Sequence, residues 1–445
     1  MSVPAHETTT RHLGAAYPFT AEPGMGTAGV LVGSDLLGGP FFYDPFVLYS
    51  KGVITNPNVV VFGQIGRGKS AFVKTYLWRE ALFGRRAWVV DPKGEYAPLA
   101  RAWGTEPLSL RPGGSVKLNP LDAPLPAVVA GQHDATRRRA ELLASLATAS
   151  LGRPILPAER AAIELAVTEV SQESRGPQEG SGGWDRRSAS VVRPAPTLPQ
   201  VVDALLCPTE SAARTLHTDV VGLAADGRNV ALELRRLVAG DLRGMFDGPT
   251  SEGLGLDGSL VVLDLSAVYH SAALGVLMTC AAAWLQSGLM RSGQGQAPDD
   301  GTILVVDEAW AILQNLGVAR WLQSSWKLSR AWGVSNVAVL HRVSDLAAAG
   351  AAGSEQVGLA QGLLADSETR VVYGQPPGEV ERAVPLLGLS TTEAELVPHL
   401  QRGVALWKVG GRSFLVQHRL SEYEATLVDT DAQMDMRTKP RIPDV

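Results

Sequence analysis

Short, mainly apolar runs punctuate the chain, and the stretches between several of them carry apolar residues at helical spacing. The clearest runs are residues 59–62, 87–90, 259–265, 302–306 and 334–340, each suited to a strand buried on both faces. Residues 71–82 and 272–287 read as helices following such strands, and another helix starts after Gly94. Strand, helix and strand in succession form a βαβ unit, which predicts a parallel sheet. Shorter strands are expected at 369–373, 403–409 and 413–417.

Two regions depart from that rhythm. Residues 1–52 hold β-like runs at 29–32 and 41–49, broken by glycine and proline, and read as a small N-terminal β lead-in. In 126–250, Ala, Leu, Glu and Arg recur at helical spacing, as in 136–151 and 158–171, which predicts an all-α insertion. A polar, Gly- and Ser-rich stretch at 173–196 is expected to be a mobile loop within it. The α/β core then comprises 53–125 and 251–431, with a C-terminal tail at 432–445 and no internal repeat.

The first apolar run leads into Gly63-Gln64-Ile65-Gly66-Arg67-Gly68-Lys69-Ser70-Ala71, which contains the phosphate-loop pattern G-x-x-x-x-G-K-[ST]. Glycine there lets backbone N–H groups curl toward phosphate oxygens. Lys69 is placed for the β- and γ-phosphates, Ser70 for Mg²⁺, and the following helix directs its positive end at the nucleotide. The run 303–306 ends in Asp307-Glu308, two carboxylates at a strand's C-terminal edge. Asp307 suits Mg²⁺ and Glu308 suits the attacking water. Asp91-Pro92-Lys93-Gly94-Glu95-Tyr96 places two more acids at a strand end, a pattern that also fits a solvated Asp-Pro turn. The expected fold is therefore α/β: a RecA-like P-loop NTPase with a mainly parallel sheet, the helical insertion and the small β element, using ATP and Mg²⁺.

Composition narrows the partners. A formal net charge of −5 over 445 residues gives no global basic field for nucleic acid. Arg137-Arg138-Arg139 and Arg235-Arg236 are local candidates for DNA contact, with a solvated helix face as the ordinary alternative. Two cysteines suggest no disulfide framework, and eight scattered histidines give no zinc spacing. The N-terminus lacks a signal-peptide stretch, and the longest apolar segment, 274–289, is short for a membrane span. A cytoplasmic protein is expected, one able to dock peripherally at the inner face of the cell membrane.

The set GQIGRGKS, DPKGEY, Leu118-Asn119-Pro120-Leu121-Asp122 and Val305-Val306-Asp307-Glu308-Ala309-Trp310 resembles the HerA/FtsK superfamily of P-loop motor ATPases. Within it, the chain is similar to conjugal-transfer and type IV secretion ATPases of the TraC/VirB-four class, from about Gly29 to Asp431. The resemblance implies phosphate and Mg²⁺ contacts for Lys69 and Ser70, Mg²⁺ and water roles for Asp307 and Glu308, and a place near the γ-phosphate for Glu95. It also implies that Arg330 reaches a neighbouring subunit's nucleotide, with Arg320 as a rival, and hence a homo-hexameric ring. The family's glutamine sensor is replaced by His341, and only about fifty residues stand where a long docking domain is usual. Docking is then expected to rely on components of a conjugation or secretion membrane complex. A DNA translocase of the HerA, FtsK or coupling-protein kind, and an ATP-binding assembly subunit with little hydrolysis, remain as alternatives.

Overall fold

The computed structural model describes residues 24–122, 132–173, 195–240, 242–251, 258–271, 301–310, 333–342 and 355–428, with isolated positions between 254 and 327. The expected loop at 173–196 (beyond its first and last residues), Arg320, Arg330, half of the expected helix at 272–287 and the tail at 432–445 lie outside them.

Eleven strands form one sheet in the order β2-β1-β11-β10-β9-β3-β8-β7-β4-β6-β5. From β9 (Thr369–Tyr373) the strands β3 (Val59–Phe62), β8 (Val334–Leu340), β7 (Thr302–Val306), β4 (Arg86–Asp91), β6 (Leu260–Asp264) and β5 (Leu108–Ser109) run parallel. The other edge is antiparallel: β10 (Val404–Val409) pairs with β9 and with β11 (Arg412–His418). Beyond β11 the expected lead-in supplies β1 (Val30–Asp35) and β2 (Gly39–Tyr43) to the same sheet. This is the RecA-like arrangement, with the β3-to-β4 connection crossing over β8 and β7.

The central strands are mainly apolar because both faces are covered. Val60, Phe62, Trp88, Val90, Leu304 and Val306 face a core shared with the helical insertion. Val59, Val61, Val89, Ile303 and Val305 face the opposite side, against Phe72, Val73 and Leu77. The latter belong to α2 (Lys69–Glu80), which leaves the phosphate loop and packs across the sheet.

The run 41–49 is not one strand, contrary to its β-like composition. β2 stops at Tyr43, and Asp44 caps a short helix, α1 (Pro45–Ser50), accepting from Phe46 N–H at 2.8 Å and Val47 N–H at 3.0 Å. An Asp-Pro pair is a cap and first-turn signal, and here it overrides side-chain propensity.

The insertion contains α4 (Gln132–Leu151), α5 (Pro157–Glu173), α6 (Leu198–Leu206), α7 (Glu210–Thr215) and α8 (Val220–Ala239), between β5 and β6. A helix over Ala97–Ala102 (α3) precedes β5. Asn119 ties the insertion's neck together. Its Nδ2 donates to Pro196 O at 3.0 Å, its Oδ1 accepts from Leu121 N–H at 3.1 Å, and its own N–H donates to Thr250 Oγ1 at 3.0 Å. The NPLD segment thus sits where the chain leaves the sheet and returns to it.

Candidate nucleotide-binding site

Because β3, β8, β7 and β4 are parallel neighbours, their C-terminal ends share one edge, and the chemistry-bearing residues collect there. The phosphate loop spans Gly63 to Lys69 at the end of β3. Gly66 and Gly68 have φ of 78° and 108°, which glycine adopts without strain. A Cβ on Gly63 would lie 2.5 Å from Tyr373 Cβ, so the loop passes flush against β9. Gln64 N–H donates to Gly374 O at 3.2 Å, and Gly403 N–H to Arg67 O at 3.0 Å. Arg67 Nη1 donates to Leu400 O at 3.3 Å, so residues 400–403 brace the loop from the antiparallel edge. Ile65 projects at the tip, 75 % exposed.

α2 begins at Lys69 with Gly68 as its cap and no side-chain cap bond, leaving the first-turn N–H groups toward the loop to a phosphate. Lys69 Nζ donates to Gly63 O and to Gln64 O. Burial draws its pKa down to about 8 against the pull of Asp307 and Glu308. Ser70 and Ala71, both half-buried, are the next residues of α2.

Asp307 follows β7 and is buried. Its backbone N–H donates to Val90 O at 3.2 Å, and its Oδ1 accepts from Glu308 N–H at 2.9 Å. Burial first, then the nearby Glu308 and Asp91 carboxylates, push its pKa up to about 7. A buried acid crowded by acids favours a cation. Among the described residues no cluster of three or more His, Cys, Asp or Glu side chains has metal-holding geometry.

Glu308 adopts a left-handed backbone (φ 52°) and is 2 % exposed. Three donors meet its carboxylate: Lys93 Nζ and His341 Nε2 (2.7 Å) on Oε1, and Trp310 Nε1 on Oε2. Burial raises its pKa, but the bonds from His341 and Lys93 outweigh burial and hold it at about 2. A carboxylate only accepts, so His341 Nε2 carries a proton; its Nδ1 is buried with no partner among the described residues. Gln375 Nε2, from the end of β9, donates to His341 O at 2.9 Å and fixes that end of β8.

The DPKGEY segment divides its work. Asp91 Oδ1 accepts from Lys93 N–H (3.1 Å) and Gly94 N–H (2.9 Å), and Oδ2 from Tyr96 N–H (2.8 Å), so Asp91 closes the turn. Glu95 lies 3.6 Å from Nζ of Lys74, a fully buried lysine one helical turn beyond Ser70. Burial lowers the Lys74 pKa against the attraction of Glu95. Lys74 is a lone lysine that the sequence did not signal, and Lys93 stood within the DPKGEY motif without a role; only the strand order shows what each meets.

The arginines of the insertion are partly committed. Arg137 pairs with Glu141 at 3.0 Å, Arg236 with Glu233 at 2.9 Å, and Arg139 Nε donates to Leu121 O at 2.9 Å. Arg138 and Arg235 are exposed.

No family model matches the chain, and neither does any curated protein. Solved structures do. VirB4 of Thermoanaerobacter pseudethanolicus is 22 % identical over 91 % of this chain and 100 % of its own, with a TM-score of 0.71. The bacterial conjugative coupling protein TrwBΔN70, in a trigonal form with sulphate, is 14 % identical over 92 % of this chain and 93 % of its own, with a TM-score of 0.58. The plasmid coupling protein TrwB in complex with ADP and Mg²⁺ is 16 % identical over 89 % and 91 %, with a TM-score of 0.55. These likenesses establish the RecA-like P-loop fold.

Proposed function

We propose that this chain is a Mg²⁺-dependent ATPase of the HerA/FtsK superfamily that energises transfer of DNA or protein in a conjugation or type IV secretion apparatus. The observation that carries this reading is Asp307: a buried, crowded carboxylate on the same sheet edge as a phosphate loop and beside a second acid, Glu308. The likeness to VirB4, and to TrwB determined with ADP and Mg²⁺, supports it.

In this reading Gly63–Lys69 cradle the phosphates through backbone N–H groups, and Lys69 exchanges the Gly63 and Gln64 carbonyls for β- and γ-phosphate oxygens. Ser70 and Asp307 hold Mg²⁺, which when bound offsets charge on the phosphate oxygens. Glu308 orients the attacking water and accepts its proton, while the bond from the γ-phosphorus to the ADP oxygen breaks. Glu95, steadied by Lys74, lies on the γ-phosphate side, and His341 senses the same region through Glu308. Arg330 stabilises a neighbour's phosphoryl group in trans within a homo-hexamer. Among the described residues no helix is long and apolar enough to cross a membrane. Peripheral docking on a membrane complex at its cytoplasmic face completes the assignment.

One observation favours a second reading, an ATP-binding assembly subunit with little hydrolysis: Oε1 of Glu308 is already taken by Lys93 and His341. Steady-state hydrolysis with Mg²⁺, with and without single- and double-stranded DNA, separates the readings. We expect turnover that Glu308→Gln lowers about 100-fold or more. DNA stimulation with steep salt dependence identifies a translocase. Tight ATP binding with no turnover above the Glu308→Gln level refutes the hydrolase.

A further inference from the structure

We propose that Lys93 is a positioning residue that clamps Glu308 away from the reaction, and that this ion pair must open before the site can hydrolyse nucleotide. The inference rests on the ATPase reading and deepens it. Lys93 stands on the turn after β4, and Glu308 follows the neighbouring strand β7, so the pair bridges two strand ends. Lys93 Nζ and His341 Nε2 converge on the same oxygen, Oε1, and use both its lone pairs. Oε2 is held by Trp310 Nε1. In this arrangement Oε1 has no lone pair for a water proton, although the carboxylate sits where a general base belongs.

The three donors are unequal. Trp310 is two residues from Glu308, and the end of β8 that carries His341 is pinned through its carbonyl by Gln375. Lys93 is the donor with reach: its side chain is 26 % exposed, on a four-carbon stem, on a turn with Gly94 at φ 72°. An ammonium pairs with any anionic oxygen. Phosphate arriving beside Lys69 offers Lys93 a competing partner and frees Oε1 for water. The clamp thus sets the fraction of nucleotide-loaded sites in which the base is free, and so limits turnover of the bound nucleotide.

The test compares wild type, Lys93→Met, Lys93→Arg and Glu308→Gln of the full chain. It measures Mg²⁺-ATP turnover without DNA, KM, and direct binding of an ATP analogue, with melting curves to confirm folding. Lys93→Met is expected to raise kcat roughly three- to tenfold, the weight of a partly buried ion pair. Its analogue affinity should stay within about twofold of wild type, because wild type exchanges the Glu308 pair for a phosphate contact on binding and the variant makes neither. Lys93→Arg keeps a cation on Oε1 and should give a much smaller rise. An active wild type with unchanged or lowered kcat in Lys93→Met overturns the clamp while leaving the ATPase standing. Lowered kcat with weakened analogue binding also overturns the clamp, because Lys93 then serves only to bind phosphate and does not restrain Glu308. A silent wild type beside an active Lys93→Met upholds the clamp. Silence in every folded variant that still binds the analogue overturns the ATPase reading and the clamp with it.

Discussion

Asp307→Asn should make the protein more stable and inactive at once, and the two effects have one cause. The carboxyl is 4 % exposed, and its pKa is raised from 3.8 to about 7. Each pH unit of that rise corresponds to about 1.4 kcal/mol, so an ionised Asp307 costs the ligand-free fold at most about 4 kcal/mol above pH 7. The sign follows from linkage. The folded state holds this proton more tightly than the unfolded chain, so this contribution to stability is greatest below pH 4 and lost as pH rises to 7. Asparagine keeps an oxygen to accept the Glu308 N–H and carries no charge to bury. Urea unfolding of wild type and variant at pH 5, 6, 7 and 8, without nucleotide or Mg²⁺, should give a difference that grows with pH and reaches about 2–4 kcal/mol at pH 8. Mg²⁺-dependent turnover should fall about 100-fold or more, because the ligand proposed for Mg²⁺ is gone. A variant no more stable than wild type at pH 8, or a difference constant with pH, would refute the reasoning.

Two further outcomes follow from buried polar groups outside the site. Glu80, at the far end of α2, has neither carboxyl oxygen hydrogen-bonded among the described residues, and burial, reinforced by Asp44, raises its pKa to about 8. Glu80→Gln should therefore flatten the loss of stability between pH 5 and 8, by up to about 4 kcal/mol at the alkaline end of a denaturant series. Asn119→Ala removes the bonds to Pro196 O and Leu121 N–H at the neck of the insertion and should cost about 2–4 kcal/mol in urea unfolding. Hydrogen exchange should localise the loosening in that variant to residues 118–121, 196–200 and 250.

What the sequence displays most clearly is whatever is buried on both faces. β7, β8 and β9 carry the bounds that their mainly apolar runs predict, and the polar Ser335 and Asn336 within β8 are buried on hydrogen bonds to Pro57 O and Asn58. α2 is offset by two residues, since the left-handed Gly68 starts the helix at Lys69. The phosphate loop and Asp307-Glu308 are legible because each packs its chemistry into consecutive residues. Lys93, His341 and Glu308 come from three strand ends that are neighbours only through the order β8-β7-β4, and periodicity does not encode strand order. Lys74 hides for a similar reason, since a lysine inside an amphipathic helix reads as solvent-facing until the fold closes over it. Residues 41–49 misled because β-branched and aromatic content outweighed a two-residue cap signal at Asp44-Pro45.

The charges around the phosphate loop form a set whose partners are meant to change. Asp91, Glu95, Asp307 and Glu308 face Lys69, Lys74 and Lys93, so four carboxylates stand against three ammonium groups. Asp91 is satisfied by backbone N–H groups, and Lys74 is sealed beside Glu95, so those residues are scaffold. Lys69 rests on carbonyls that a phosphate can replace, Lys93 rests on Glu308, and Asp307 has no cationic side chain hydrogen-bonded to it among the described residues. A polyphosphate with Mg²⁺ meets each of those three needs: anionic oxygens for the two lysines and a cation for Asp307. Rearranging existing ion pairs costs less than desolvating new charges, because Lys69, Asp307 and Glu308 are already buried. On the proposed clamp, substrate binding therefore favours the freeing of Glu308 without completing it.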